Sequence, residues 1–153
     1  MEIKYMQELN PSLKDLAFLA GKWDMKISNA SFSPNLSDVI QSIASFEWYE
    51  DGEFLVLRQG TKETPHATWL IGHDQDTPDY TVLYFDDRHF SRVYEMSFEN
   101  NIWKIWRNAP GFVQSFEGRV SEDQNTITGA WGKSTVCKKL EHDFDLTYSR
   151  KAS

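Results

Sequence analysis

The sequence predicts an all-β protein, an up-and-down antiparallel barrel of about ten strands with one short N-terminal helix. Three observations lead there. The hydrophobic period changes from helical spacing to strict alternation after Gly21 and stays alternating to the end. Aromatic residues make up 14% of the chain, with 6 Trp, 6 Tyr and 10 Phe, which suits a pleated, half-buried surface. Short polar turns interrupt the alternating runs at the spacing of a meander. At 153 residues the chain is expected to form one domain over 1–153.

The start, Met1 to Leu9, carries Glu2, Lys4 and Glu8 and lacks a basic leader followed by a long apolar core, so the expected address is cytoplasmic. Asn10-Pro11-Ser12 supplies a turn and an N-cap. Leu13, Leu16 and Leu19, with Ala17 and Ala20, then recur at helical spacing up to Gly21, predicting an amphipathic helix over 12–20. Its narrow apolar face suits a helix lying across the end of something larger. The apolar patch from Leu16 to Ala20 is far too short to span a bilayer.

Trp23, Met25 and Ile27 open the first strand. Segments 39–49, 53–60, 66–73, 79–86, 89–98, 101–108, 112–120, 125–132 and 142–150 read as the others. Between them stand turn-forming stretches: Glu50-Asp51-Gly52, Asp76-Thr77-Pro78-Asp79, Asp86-Asp87-Arg88, Glu99-Asn100-Asn101 and Glu122-Asp123-Gln124-Asn125. Every connection after residue 50 is short, so a closed barrel is favoured over a sandwich with long crossovers. Closure also removes exposed strand edges.

Lys and Arg number 16 against 23 Asp and Glu, a net charge of −7, and no basic run offsets it. That field disfavours nucleic acid as a partner. The single cysteine, Cys137, can form neither an internal disulfide nor a cysteine cluster for zinc; beside Lys138 and Lys139 it reads as an incidental thiol near a loop. His66, His73, His89 and His142 show no metal-binding spacing, and Asp74, Asp76 and Asp79 read as turn residues rather than a calcium loop.

The stretch Leu19-Ala20-Gly21-Lys22-Trp23 resembles the Gly-x-Trp opening of the calycin superfamily, which includes lipocalins, fatty-acid-binding proteins and bacterial relatives. Three further stretches resemble a poorly characterised bacterial group of lipocalin-like domains: Ile71 to Asp74 leading into Tyr80 and Tyr84-Phe85-Asp86; Phe116 to Arg119 with Ser121 and Asn125 to Trp131; and Phe144 to Arg150. The resemblance implies a lipocalin-like barrel with a cavity for a small apolar or amphipathic molecule. It also implies that Trp23 packs against Arg150 or Lys151 from the closing strand, sealing one end. The haem-binding nitrobindins of the same superfamily share the opening but continue with glycines that Lys22-Trp23-Asp24-Met25 lacks. They also keep a haem-ligating histidine near the C-terminus, where this chain has His142 at the start of the last strand. No cofactor is therefore expected, with a haem-binding barrel kept as a less favoured alternative.

Alternation assigns an interior. Phe90, Arg92, Tyr94, Met96 and Phe98 share one face, and their apolar majority puts it inside. Arg92 is then a cation among aromatic rings, costly unless it meets a carboxylate from a ligand or from the protein. Trp69 lies between Ala67 and Ile71, and Tyr84 shares a face with Tyr80 and Val82. Gln114 lies between Phe112 and Phe116. Trp106 joins Ile102 on the next face, although Trp103, Ile105 and Arg107 make an equally good inner set. The expected ligand-binding residues are Trp69, Tyr84, Arg92, Tyr94, Trp106 and Gln114, an aromatic lining with a few convergent polar groups. The alternative is a barrel plugged by those same side chains and serving as an interaction module or homodimer. No local catalytic signature is present, and Glu47 and Glu95 are the obvious strand carboxylates. The expected function is reversible binding of a small apolar or carboxylate-bearing ligand.

Overall fold

The computed structural model describes residues 10–135 and 139–152, so Met1 to Leu9 and Cys137 lie outside the described residues. Ten strands follow one another: β1 (Gly21–Ser28), β2 (Ile40–Tyr49), β3 (Phe54–Gln59), β4 (Ala67–Gly72), β5 (Tyr80–Asp86), β6 (Ser91–Glu99), β7 (Ile102–Ala109), β8 (Phe112–Val120), β9 (Thr126–Ser134) and β10 (Glu141–Arg150). Each pairs antiparallel with the next, and β10 returns to β1 to close the barrel. The meander read from the alternating pattern is the one observed, with strand limits shifted by no more than two residues at either end.

The N-terminal segment differs from expectation in kind. It is a 3₁₀ helix over Pro11–Leu19. Leu13, Leu16 and Leu19 stand three apart, and a helix with three residues per turn brings all of them onto one line. All three are fully buried at 0% exposure. Asn10 caps the start, accepting from Ser12 N at 3.0 Å while its amide donates to the carbonyls of Glu53 and His73, each at 3.2 Å. The helix is thereby tied to two turns at one end of the barrel.

Beneath the helix that end is filled. Trp23, Trp103, Phe46 and Phe116 are at most 1% exposed; Trp103 meets Phe46 at a tilt and Phe116 edge-on, and Trp23 meets Tyr148 edge-on. Arg150 lies 4.2 Å over the Trp23 ring, the contact implied by the resemblance, and Trp23 Nε1 donates to Leu19 O at 2.8 Å. Cation, ring and helix terminus form one seal.

On the outside, strand register lines up Val56, Leu70, Leu83 and Val93 in a row across four strands. Val93 is 59% exposed. No helix among the described residues is long and apolar enough to cross a membrane.

Candidate functional site

The other half of the barrel is hollow. A cavity of about 440 Å³ opens there, between the ends of β3, β5, β7 and β9 and the beginnings of β4, β6, β8 and β10. The barrel is thus plugged at the helix end and open at the opposite one. The two arrangements weighed from sequence coexist in one molecule.

Five of the six expected residues line this cavity: Trp69, Tyr84, Arg92, Tyr94 and Gln114. Trp69 contacts Tyr84 edge-on at 4.6 Å and Tyr94 at 5.3 Å between ring centroids. Trp106 does not belong to the site. It points outward from β7, where its Nε1 donates to Glu95 Oε2 at 2.7 Å, while Trp103 and Ile105 face in. The physical reason lies in the β6–β7 turn. Asn100 and Asn101, at φ 53° and 63°, form a two-residue hairpin loop that pairs Phe98 with Trp103. Phe98 shares the inner face of β6, so Trp103 opposite it must also face inward.

Several lining residues escaped the sequence reading: Gln59, Trp131, Lys133, Asp143, Phe144 and Tyr148. Trp131 and Tyr148 had a usable signal, since they continue the faces of Ile127 and Leu146. Gln59 follows Leu55 and Leu57 on the inner face of β3, whereas Val56 and Arg58 face out, Arg58 lying 3.8 Å from Glu47. Asp143 enters through the irregularity between His142 and Phe144, which no alternation rule anticipates.

The polar groups form small networks. Gln114 Oε1 accepts from Tyr94 OH at 2.6 Å and from Arg92 Nη1 at 3.1 Å. The Arg92 guanidinium also lies 4.4 Å from the Phe90 ring centre and 5.5 Å from that of Phe112. No described carboxylate forms an ion pair with it. On another wall, Gln59 accepts from Trp69 Nε1 at 2.9 Å and donates to Tyr148 OH at 3.0 Å. Burial pushes the Tyr148 phenol far above its usual value, so it stays neutral.

At the rim, Asp86 accepts from Tyr84 OH and from Arg88 Nη2, each at 2.6 Å, and its side chain is fully shielded from solvent. Burial alone would raise this carboxyl, but hydrogen bonds from Tyr84, Arg88 and the amides of Phe90 and Arg88 hold it at about 2. Burial and the Asp86 contact push the Tyr84 phenol upward in turn. The loop after β1 covers part of the opening. Ser31 N donates to Asp143 O at 2.7 Å, Ser31 Oγ to Asp143 Oδ1 at 2.6 Å, and Phe32 packs edge-on against Phe144.

No histidine lines the cavity, and His142 lies outside it with Nε2 2.9 Å from Asp145 Oδ1. The lining residues therefore do not fit a histidine-ligated haem. Glu47 and Glu95 both face away from the interior. Among the described residues no group of three or more His, Cys, Asp or Glu side chains is placed to hold a metal ion.

No family model matches this chain, and no curated protein does. Among solved structures, Rv2717c from M. tuberculosis is similar at a TM-score of 0.68, covering 95% of this chain and 100% of that one. Sequence identity between the two is 12%, so the likeness is one of fold.

Proposed function

We propose that the protein reversibly binds a small molecule with an apolar body and an anionic head, most simply a carboxylate, in the open half of the barrel. One observation carries this reading: Arg92 sits in the wall of an aromatic cavity with no described carboxylate as its ion-pair partner. A cation held by an amide oxygen and two ring faces is positioned but not neutralised, and an incoming anion completes it. The lining supplies burial for ligand carbon, at roughly 25 cal/mol per Å² before the costs of association. The cavity volume falls within the roughly 300–1,000 Å³ usual for small-molecule sites.

Native mass spectrometry of freshly purified protein, with an absorbance scan of the same sample, is the direct test. A co-purifying anionic mass released on denaturation supports the reading, and a Soret band overturns the choice of ligand class. Arg92→Gln separates binding from scaffolding. Because no buried acid loses its counter-charge, stability should fall by less than about 1 kcal/mol while anion affinity drops at least tenfold. A loss of about 3–5 kcal/mol would instead mark Arg92 as half of a structural pair.

Leu83 and Val93, paired on adjacent strands of the outer face and both exposed, favour a second reading, association of two copies through this part of the sheet. Sedimentation velocity on the wild type and on Val93→Lys tests it: a dimer that dissociates in the variant supports the reading, and a wild-type monomer removes it.

A further inference from the structure

The shape of the cavity and the hydrogen-bond state of its phenols restrict the ligand beyond charge. We infer that the occupant is a compact aromatic carboxylate that carries a hydrogen-bond donor on its ring system, such as a phenol or an indole N–H. This rests on the reading of Arg92 as an anion site and adds the chemistry of the rest of the molecule.

Depth is the first argument. On β8 the lining runs only from Phe112 to Phe116, where the filled end begins. Four strand steps in a barrel tilted by roughly 40° give a usable depth of about 10 Å. A straight alkyl chain advances roughly 1.3 Å per bond, slightly more than extended peptide backbone, and fills that depth with about eight bonds. A long fatty acid in extended form does not fit, whereas one or two fused rings do.

The walls are the second argument. Trp69, Tyr94, Trp131 and Phe116 face the cavity from four different strands, and each is packed against another ring at 5.3–5.5 Å. Such faces and edges reward a planar ring more than a flexible chain, which must also lose its rotamer freedom on entry.

Proton accounting is the third. Tyr94 donates its O–H to Gln114 and Tyr84 donates its own to Asp86. Each phenol oxygen is left with lone pairs, so it can only accept from a ligand. Gln114, with its carbonyl taken by Tyr94 and Arg92, keeps its amide N–H groups to give. Arg92 and Gln114 together therefore present donors, as a carboxylate requires, and Tyr84 and Tyr94 present acceptors. A ligand matching both sets is acidic at one end and a donor elsewhere.

Titration calorimetry with four probes tests this: 4-hydroxyphenylacetate, phenylacetate, 4-hydroxyphenylacetamide and hexadecanoate. The hydroxy acid should bind about fivefold or more tightly than phenylacetate, and at least tenfold more tightly than either the amide or hexadecanoate. The variant Tyr84→Phe/Tyr94→Phe should erase the advantage of the hydroxyl, bringing 4-hydroxyphenylacetate and phenylacetate to within about twofold of each other. Tighter binding of hexadecanoate, weakened by Arg92→Gln, would overturn the aromatic assignment and leave the anion site standing. Equal affinity for hydroxy acid and phenylacetate would overturn the donor requirement. Equal affinity for acid and amide, or no binding of any probe, would overturn both readings.

Discussion

Arg150 ends β10 with its guanidinium flat over Trp23, and its N–H groups reach Phe18 O at 2.6 Å, Gln124 O at 2.8 Å, Ala20 O at 3.2 Å and Asn125 Oδ1 at 2.8 Å. It therefore satisfies carbonyls at the end of the 3₁₀ helix and in the β8–β9 turn with one rigid fork, which a lysine cannot copy. Arg150→Ala should lower stability by about 2–4 kcal/mol in urea unfolding, and Arg150→Lys should recover only a minor part. Asp86 contributes differently, through pH. Its carboxyl sits at about 2 against an ordinary 3.8, so the folded state binds this proton less readily than the unfolded chain. The resulting stabilisation is complete above pH 4 and is lost as pH falls toward 2. Unfolding midpoints measured from pH 6 to 2 should drop less steeply for Asp86→Asn than for the wild type.

Gly118 of β8 faces Gly129 of β9, and the Phe116 ring lies against both. A Cβ placed at Gly129 would come within 2.7 Å of Gly118 Cα and 2.9 Å of Phe116 Cζ, so backbone and ring would both have to move. Gly72 in β4 has no atom within 4 Å of the same construction. Gly129→Ala should therefore destabilise by about 1–3 kcal/mol, whereas Gly72→Ala should be neutral or gain up to about 1 kcal/mol from reduced chain entropy. Thermal melts of the two variants decide it. Elements of this kind were legible wherever only one face of a strand is apolar, as with Tyr80, Val82 and Tyr84 in β5. They were illegible in β7, where Ile102, Trp103, Ile105 and Trp106 load both faces and the period alone sets no frame. The Asn100-Asn101 turn would have set it, because a two-residue hairpin carries the inward assignment of Phe98 across to Trp103. The helix was legible as an element but not in type, since leucines spaced by three serve an α-helix face and a 3₁₀ line alike.

Across the whole molecule, the filled core and the cavity occupy opposite ends of one barrel. The aromatic residues expected to fill or line the interior do both, and no local pattern says where filling stops. That boundary depends on which rings from β2, β7 and β8 meet under the helix, a matter of three-dimensional packing that a single sequence leaves open. The division makes a separable pair of outcomes. Trp103 is 0% exposed and packs against Phe46, Phe116 and Tyr148, so Trp103→Ala should cost about 3–5 kcal/mol. Phe90 is 41% exposed at the cavity mouth, with the Arg92 guanidinium 4.4 Å from its ring. Phe90→Ala should leave stability within about 0.5 kcal/mol while weakening anion binding several-fold, because Arg92 loses one of the two rings that hold it. Urea unfolding and ligand titration on the two single variants and the double variant supply the check. Additive stability losses, with affinity tracking only the Phe90 change, are expected of a barrel whose closed end carries the fold and whose open end is free to fit a ligand. Strong coupling would mean that the cavity is part of the stabilising core, and that a ligand entering it must rearrange the packing beneath the helix.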